Sequence, residues 1–283
     1  MNRISISTPG GPVSALSGGH GPRLHFAHAT GMNAQVYAQL LEPLTANFAV
    51  TASDARGHGL SGLDKDPAHL LSWNDFAHDL NALLDVIDGG ARWILAGHSM
   101  GAAVSLLAAA LRPERVAGLV LIDPALLPFE ISRMVRAGAA IPNPMADQAV
   151  RRRGRFGSRA EARAAYHGRG VFRTWQDADL DAYLDGGLVE DADGAALACA
   201  PAYEAATFRA VSADIEPALA GVSCPFVLLA GEHGSTVQNA ELAAFAAHPG
   251  CLRAERIAGT THFLPLERPD AVRDAVAAVS QAA

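Results

Sequence analysis

Six short apolar segments rich in Val, Ile, Leu and Phe recur along the chain. Most of them are nearly continuous rather than alternating, which is typical of strands covered on both faces. The pattern therefore predicts a largely parallel β-sheet. The six segments are RLHFAHA, FAVTASD, WILAGHS, GLVLIDPA, PFVLLAGE and LRAERIAG.

Helical patterns separate several of these segments. One helix is predicted from a capping-box pattern at Ser72 and Asp75 to a stop at Gly89 and Gly90. A second is predicted after Pro269, a residue that suits a first helical turn. Each helix carries one apolar face. The first face contains Trp73, Phe76, Leu80, Leu83, Leu84 and Ile87, and the second contains Val272, Val276 and Val279.

The alternation of strand and helix is interrupted once. It runs from about residue 23 to 123 and again from about 222 to 283, which predicts an α/β fold with a mostly parallel, doubly wound sheet. The stretch between contains helical fragments, several prolines and no convincing strand. We therefore expect a core formed by residues 1–124 and 216–283, with a helical insertion at 125–215.

Composition narrows the classes of function. The chain has 283 residues, of which 50% are hydrophobic, so it can bury a large core. A formal charge of -7 argues against nucleic-acid binding, which needs a surplus of Lys and Arg on one face. No segment approaches the roughly 18 to 20 apolar residues of a membrane span, and the N-terminus has no signal-peptide pattern. We expect a cytoplasmic protein that binds neither nucleic acid nor membrane.

The pattern of metal-binding residue types predicts no metal site and no cofactor. Cys199, Cys224 and Cys251 lie far apart without a Cys-x-x-Cys pair, which suits neither a disulfide framework nor a zinc site. The histidines show no ligand spacing, and the chain has neither a P-loop nor a dinucleotide glycine pattern. We expect three ordinary, partly buried thiols.

The segment WILAGHSMG predicts a nucleophilic serine. Gly-x-Ser-x-Gly occurs often by chance, but here a strand precedes it and a helix follows it. Gly97 and Gly101 allow a tight turn that projects Ser99, and the following helix places its positive end near the developing negative charge. A serine needs a base. His262 is the candidate, because it lies between the last predicted strand and the last helix, at the same edge of the sheet.

Four motifs in order resemble the α/β-hydrolase superfamily: FAHATGMN, DARGHGLS, GHSMG and THFLPLERP. The resemblance implies a serine hydrolase in which the helical insertion is a cap. It also implies an oxyanion hole formed by the backbone N–H groups of Thr30 and Met100, with Ala29 as the less favoured alternative to Thr30. Ala29 stands where the family usually has Gly. The segment 54–61 is expected to brace loops near the site.

The acid departs from the family pattern. The family most often takes it from the loop after the next-to-last strand, where this chain has Gly234. Asp123, at the end of the strand before the insertion, is the favoured replacement, and Glu232 is the alternative. The chosen carboxylate would orient His262 and stabilise the imidazolium. A third possibility is that no acid completes the set, which would leave a slow enzyme or a silent ligand-binding relative.

Residues that contact substrate are harder to predict. His28, His98, Trp175 and Tyr203 are candidates, because binding sites are mostly apolar clefts with a few polar groups. The arginine-rich run at 151–163 would attract an anionic substrate if it faced the site. Arginines on an exposed helix are more often solvated, and we favour that interpretation.

These observations predict a cofactor-independent serine hydrolase that cleaves a carboxylic ester, or a related acyl bond, of a small to medium-sized substrate. The same residues would also serve a lactonase, a carbon–carbon bond hydrolase, an aminopeptidase or a cofactor-free peroxidase. A dehalogenase is disfavoured, because it would have Asp in place of Ser99. The sequence leaves the oligomeric state open.

Overall fold

The computed structural model describes all residues from 1 to 283. Its strands, in chain order, are β1 (Asn2–Thr8), β2 (Gly11–Gly18), β3 (Arg23–Ala27), β4 (Ala49–Ser53), β5 (Trp93–His98), β6 (Val116–Ile122), β7 (Arg155–Phe156), β8 (Leu188–Asp191), β9 (Gly194–Leu197), β10 (Phe226–Gly231) and β11 (Cys251–Ile257).

The α-helices, in chain order, are α1 (Ala38–Leu41), α2 (Trp73–Asp88), α3 (Met100–Leu111), α4 (Phe129–Arg136), α5 (Pro144–Val150), α6 (Arg159–Tyr166), α7 (Asp177–Gly187), α8 (Pro201–Arg209), α9 (Ile215–Gly221), α10 (Asn239–Ala246), α11 (Leu264–Glu267) and α12 (Pro269–Ala282). Short 3₁₀ helices occur at Ala34–Tyr37, Glu42–Ala46, Pro67–His69, Pro113–Arg115 and Gly170–Thr174.

The main sheet has eight strands in the order β1-β2-β4-β3-β5-β6-β10-β11. All pairings from β4 to β11 across this order are parallel, and only β2 runs against its neighbours. The six strands predicted from the sequence are confirmed as β3, β4, β5, β6, β10 and β11. The β1–β2 hairpin was not predicted, because its first strand lies at the edge of the sheet, has no fully buried residue and so lacks a continuous apolar run.

Helices cover both faces of this sheet, as the doubly wound prediction requires. Successive residues of β5 point to opposite faces: Ile94 belongs to the core shared with α12, and Leu95 to the core shared with α2 and α3. The predicted helix α2 is confirmed, and its capping box at Ser72 and Asp75 is formed.

Glycines bring β5 and α3 close to their neighbours. A Cβ added to Gly97 would lie 2.4 Å from the backbone of Gly101, and one added to Gly101 would lie 2.1 Å from the carbonyl oxygen of Ala27. No real side chain tolerates such distances. The tight turn between β5 and α3 therefore depends on both glycines of the Gly-x-Ser-x-Gly motif.

The segment 125–215 differs from its prediction in one respect. It contains helices α4 to α8, as expected, but also a three-stranded antiparallel sheet in the order β7-β9-β8. The expectation that this segment has no strand is therefore wrong. The strands are only two to four residues long, too short for a recognisable alternation. Asp193-Gly194 was no clear signal, because the two central residues of the β8–β9 turn are Ala192 and Asp193.

Hydrogen bonds attach this segment to the sheet-containing core. Asn33 Nδ2 donates to the carbonyl oxygen of Tyr183 at 3.0 Å, and Trp73 Nε1 donates to that of Thr207 at 2.8 Å. Asn33 and Trp73 are themselves buried. None of the helices is both long and apolar enough to cross a membrane.

Candidate active site

Three candidate residues lie in segments that follow strands at one edge of the sheet. Ser99 follows β5, Asp123 follows β6, and His262 lies beyond β11. Ser99 and Asp123 are the only non-glycine residues with positive φ, at 55° and 40°. Such conformations each cost on the order of 1 to 3 kcal/mol and persist where the surrounding structure enforces them, often at functional sites.

The structure brings these three side chains together. His262 Nε2 lies 3.1 Å from Ser99 Oγ, within hydrogen-bonding distance. On the other side of the ring, His262 Nδ1 lies 3.5 Å from Asp123 Oδ2. This second separation exceeds a good hydrogen bond, so the contact is electrostatic in this structure. Such contacts are often long in ligand-free enzymes and shorten when substrate binds.

Asp123 is fully buried and held by the loop that follows β10. Its carboxylate accepts hydrogen bonds from Gly231 N at 3.2 Å, from Ser235 Oγ at 2.8 Å, and from both N and Oγ1 of Thr236 at 3.1 Å. Burial by itself would raise the pKa of Asp123, but His262 and these hydrogen bonds hold the pKa below its ordinary value. The carboxylate therefore stays charged at neutral pH.

Glu232, the alternative acid, lies in a different environment. Its side chain is 45% exposed, and its Oε2 accepts a hydrogen bond from Gly259 N at 2.8 Å and lies 3.4 Å from His233 Nε2. None of its contacts is with His262. The structure brings Asp123, and not Glu232, to the imidazole.

The backbone donors expected at Thr30 and Met100 make no hydrogen bond within the protein. Met100 is the first residue of α3, where helix N–H groups have no intrahelical partner. Ala29, the alternative to Thr30, differs because its N–H donates to the hydroxyl of Tyr37 at 3.3 Å. Of these two loop residues, only Thr30 has a free N–H group.

The four candidate pocket residues have separate surroundings. Trp175 packs against Phe263, the residue after His262, with ring centroids 5.4 Å apart. Tyr203 instead packs against His58 and against the backbone of Gly57, and its hydroxyl is buried without a partner.

The two histidines among the pocket candidates, His28 and His98, have no ring nitrogen free for substrate. His28 Nδ1 bonds the carbonyl oxygen of Ala29 at 2.8 Å, and its Nε2 accepts from Ala55 N at 2.9 Å. His98 is bonded at both nitrogens, to Tyr37 and to the backbone of His262. These two histidines connect loops, and the expectation that they contact substrate has no support from their hydrogen bonding.

Five arginines of the arginine-rich run are paired with carboxylates. Arg152 contacts Glu204 at 2.9 Å, Arg153 contacts Glu161 at 2.6 Å, and Arg163 contacts Asp181 at 2.8 Å. Arg155 and Arg159 are also paired, with Asp191 and Asp185. The run is therefore not a free cationic surface. Arg152 departs from the solvated-face interpretation, because it is mostly buried against Glu204, Tyr166 and Tyr183.

Sequence reasoning missed the residues that hold the site in place. Ser235 and Thr236 hold Asp123, and their signal was two adjacent hydroxyl residues directly after the vacant acid position at Gly234. Glu267 accepts hydrogen bonds from both N and Oγ1 of Thr261, next to His262. Tyr37 had no signal, because its contact with His98 joins residues 61 positions apart in sequence.

A mostly parallel sheet, with helices on both faces and a serine raised on the glycine turn after its fifth strand, defines an α/β hydrolase. The family described as "serine aminopeptidase, S33" matches residues 21–269, and the chain belongs to this family. It is an enzyme of the α/β-hydrolase superfamily with a hydrolytic role.

Similar proteins include hydrolases of small molecules. The chain is 29% identical to a 2-(acetamidomethylene)succinate hydrolase of Mesorhizobium japonicum, over 91% of this chain and 87% of that protein. A crystal structure of E-2-(acetamidomethylene)succinate hydrolase superposes with a TM-score of 0.79 at 25% identity, covering 99% of both chains. The enol-lactonase from Burkholderia xenovorans LB400 has a TM-score of 0.68 at 20% identity, covering 98% of this chain and all of that one, and shares the fold.

Proposed function

We propose that this protein is a serine hydrolase that cleaves a carboxylic ester, or a related acyl bond, through an acyl-enzyme. Ser99 attacks the carbonyl carbon, His262 accepts its proton and returns it to the leaving group, and Asp123 orients His262. Water then releases the acyl group with His262 as the base again. The observation that carries the proposal is the 3.1 Å contact between His262 Nε2 and Ser99 Oγ.

The direction of proton transfer follows from the partners of His262. To accept the hydroxyl proton of Ser99, Nε2 must be unprotonated, so the ring hydrogen must be on Nδ1. Nδ1 is the nitrogen that faces the buried carboxylate of Asp123. The carboxylate is charged, so it favours this tautomer and stabilises the imidazolium that forms as Ser99 attacks.

The oxyanion of the tetrahedral intermediate would be held by the backbone N–H groups of Thr30 and Met100. Both groups are unengaged within the protein, which leaves them available to a developing negative charge. The N-terminal end of α3 adds favourable potential at Met100. Removing one such donor typically costs on the order of 3 to 4 kcal/mol of transition-state stabilisation.

Residues 125–215 would form a cap over this site. Ser99 is only 7% exposed, so a substrate carbonyl must enter a covered space rather than an open surface. Trp175 and Phe263 supply apolar wall near His262. This wall favours a small to medium-sized acyl or leaving group with an apolar part.

A mechanism through an acyl-enzyme requires that the bond cleaved join a carbonyl carbon to a leaving group. The name of the Mesorhizobium relative, which aligns over 91% of this chain, points to an acetamido group, so an amide is the second candidate beside an ester. That relative's name also contains succinate, a dianion. Here the arginines from Arg152 to Arg163 are already paired with carboxylates, and they give no support to a charged substrate of that kind.

The test uses a fluorophosphonate probe and p-nitrophenyl acetate, with wild type compared with Ser99→Ala. We expect the wild type to be labelled and to turn over the ester, and the variant to do neither. Ser105→Ala is the matched control, because Ser105 is a fully buried serine in α3, the helix that follows Ser99, and cannot meet a substrate. Absence of labelling in the wild type would favour a silent ligand-binding protein.

A further inference from the structure

A continuous hydrogen-bond chain passes through Tyr37 and His98, neither of which the proposed reaction uses. The Tyr37 hydroxyl lies 2.8 Å from His98 Nδ1, and His98 Nε2 lies 2.7 Å from the backbone carbonyl oxygen of His262. The N–H of Ala29 completes the chain by donating to the same hydroxyl at 3.3 Å. Tyr37 and His98 have no exposed surface, so water does not compete for these bonds.

Chemistry sets the direction of every bond in this chain. A carbonyl oxygen only accepts, so His98 Nε2 must carry the hydrogen that it donates to His262. A neutral imidazole has one N–H, which leaves Nδ1 as the acceptor of the Tyr37 hydroxyl hydrogen. The Tyr37 oxygen in turn accepts from Ala29. Met32 Sδ, 3.3 Å from the same hydroxyl, is a weaker acceptor that competes for a hydrogen already given to His98.

His98 meets the condition that its ring be neutral. Burial is the main cause that lowers the pKa of His98 to about 3. The charge of His262 also lowers this pKa, whereas the hydrogen bond to the His262 backbone and the charge of Asp123 raise it. Other groups near the ring are Tyr37, His28 and Phe263. Protonation at Nδ1 would place an N–H against the hydroxyl hydrogen of Tyr37 and break the chain.

The hydrogen-bond chain joins three loops that are far apart in sequence, and each loop lies next to a group of the proposed reaction. Ala29 precedes Thr30, a proposed oxyanion donor. His98 precedes Ser99, and the third attachment point is the backbone of His262 itself. Misplacement of reacting groups by about 1 Å is enough to cost on the order of a hundredfold in rate. A buried connection among these three loops therefore bears directly on catalysis.

We propose that Tyr37 and His98 are positioning residues that hold the oxyanion loop, the nucleophile turn and the histidine loop in one register. This inference rests on the proposed serine hydrolase function. Neither residue exchanges a proton with substrate. Tyr37 acts through His98 and Ala29, and His98 acts through the carbonyl of His262.

The first test is spectroscopic and needs no activity. In wild-type protein with isotope-labelled histidine nitrogens, NMR is expected to show His98 as the neutral Nε2–H tautomer, unchanged between about pH 5 and 8, the range in which an ordinary histidine titrates. The His98→Gln spectrum identifies the signal by its loss. A His98 that titrates in this range, or that carries its hydrogen on Nδ1, would overturn the proposal even if Ser99 proves to be the nucleophile.

The second test separates the two bonds of His98. A Gln side chain places an amide N–H near the position of Nε2 and keeps the bond to the carbonyl of His262, whereas Asn reaches only toward Tyr37. We expect kcat for p-nitrophenyl acetate to fall on the order of ten- to a hundredfold in Tyr37→Phe and His98→Asn, with KM little changed, and to fall less in His98→Gln.

The control is His25→Gln, which alters another fully buried histidine without touching this chain. It is expected to lower the melting temperature and leave kcat intact. Tyr37→Phe with wild-type kcat, or His98→Asn as active as His98→Gln, would overturn the proposal. Variants that turn over slowly but still become fully labelled by the fluorophosphonate support it. A wild type that is never labelled refutes the hydrolase function instead, and the NMR result then stands by itself.

Discussion

At the scale of single residues, the site depends on two strained positions and the groups that hold them. Ser99 and Asp123 have positive φ, and both are tied to neighbouring strands: Ser99 N donates to Ile122 O at 2.9 Å, and Asp123 N donates to Leu229 O at 2.7 Å. The sequence predicted that Ser99 and His262 lie at the same edge of the sheet, because each belongs to a motif that follows a predicted strand. From sequence, Asp123 was favoured over Glu232, but which of the two carboxylates faces His262 depends on how distant loops fold.

Replacement of the acid tests this difference. Asp123→Asn is expected to lower kcat about a thousandfold or more, because an amide cannot stabilise the imidazolium and favours the wrong tautomer of His262. Glu232→Gln is the matched control and should leave kcat nearly unchanged. Steady-state turnover of p-nitrophenyl acetate, with circular dichroism to verify folding, measures both. Equal mild losses from the two variants would contradict the assignment of Asp123.

At the scale of elements, the junction of β5 and α3 sets the geometry of the nucleophile turn. Gly101 lies against the carbonyl oxygen of Ala27, at the end of β3, and the loop that follows β3 carries Thr30. The packing of α3 on β3 is therefore coupled to the position of the expected oxyanion donor. The hydrophobic pattern predicted β5 and α3, since both are strongly apolar. It did not predict the short strands β7 to β9.

Gly101→Ala tests this coupling. The added methyl group would lie 2.1 Å from the carbonyl of Ala27, so α3 and β3 must separate. We expect a loss of stability of about 1 to 3 kcal/mol, typical of overpacking, together with a loss of kcat. Urea unfolding and ester turnover measure the two effects.

The control for this prediction is Gly90→Ala, at the exposed end of α2. Its added methyl group would meet nothing closer than Asp88 Oδ1 at 3.8 Å, and its backbone does not have positive φ. It should keep full activity. Its free energy of unfolding should rise by up to about 1 kcal/mol, because alanine reduces the conformational entropy of the unfolded chain. Similar results for the two variants would show that α3 does not control the oxyanion loop.

At the scale of the whole molecule, burial of neutral histidines makes the folded state sensitive to acid. His25, His58 and His98 are each nearly or fully buried. Burial is the main cause that lowers the pKa of each to about 3, with a neighbouring histidine adding to the effect. In the unfolded chain the same groups have pKa values near 6.5. Below that pH the unfolded chain binds protons that the folded protein excludes.

The predicted consequence is a loss of stability as pH falls from about 6.5 toward 3. A group whose pKa is lowered on folding gives the unfolded state more bound protons in this window, so the free energy of unfolding rises with pH. Each histidine contributes on the order of 1 kcal/mol per pH unit. Urea unfolding between about pH 5 and 7 measures the slope, and unfolding at the lower pH should take up about one proton for each of these three histidines. His28, whose pKa is also lowered chiefly by burial, adds to this uptake.

A matched pair of variants isolates the buried groups. His25→Gln should reduce the slope of unfolding free energy against pH by about one proton. His20→Gln removes an exposed histidine and should leave the slope unchanged. A free energy of unfolding that is flat across this range in the wild type would contradict the prediction.

The sequence by itself determined the architecture and the two candidates for nucleophile and base, Ser99 and His262. Apolar periodicity, glycine turns and local motifs depend on residues close together in the chain, so they can be recognised in the sequence. Only the tertiary structure decided that Asp123 faces His262, that the loop with Gly234 holds Asp123 in place, and that five arginines of the run are paired with carboxylates. It alone joined Tyr37 to His98. Each of these contacts links residues far apart along the chain, and their meeting is decided by the register of the strands and the packing of helices around them.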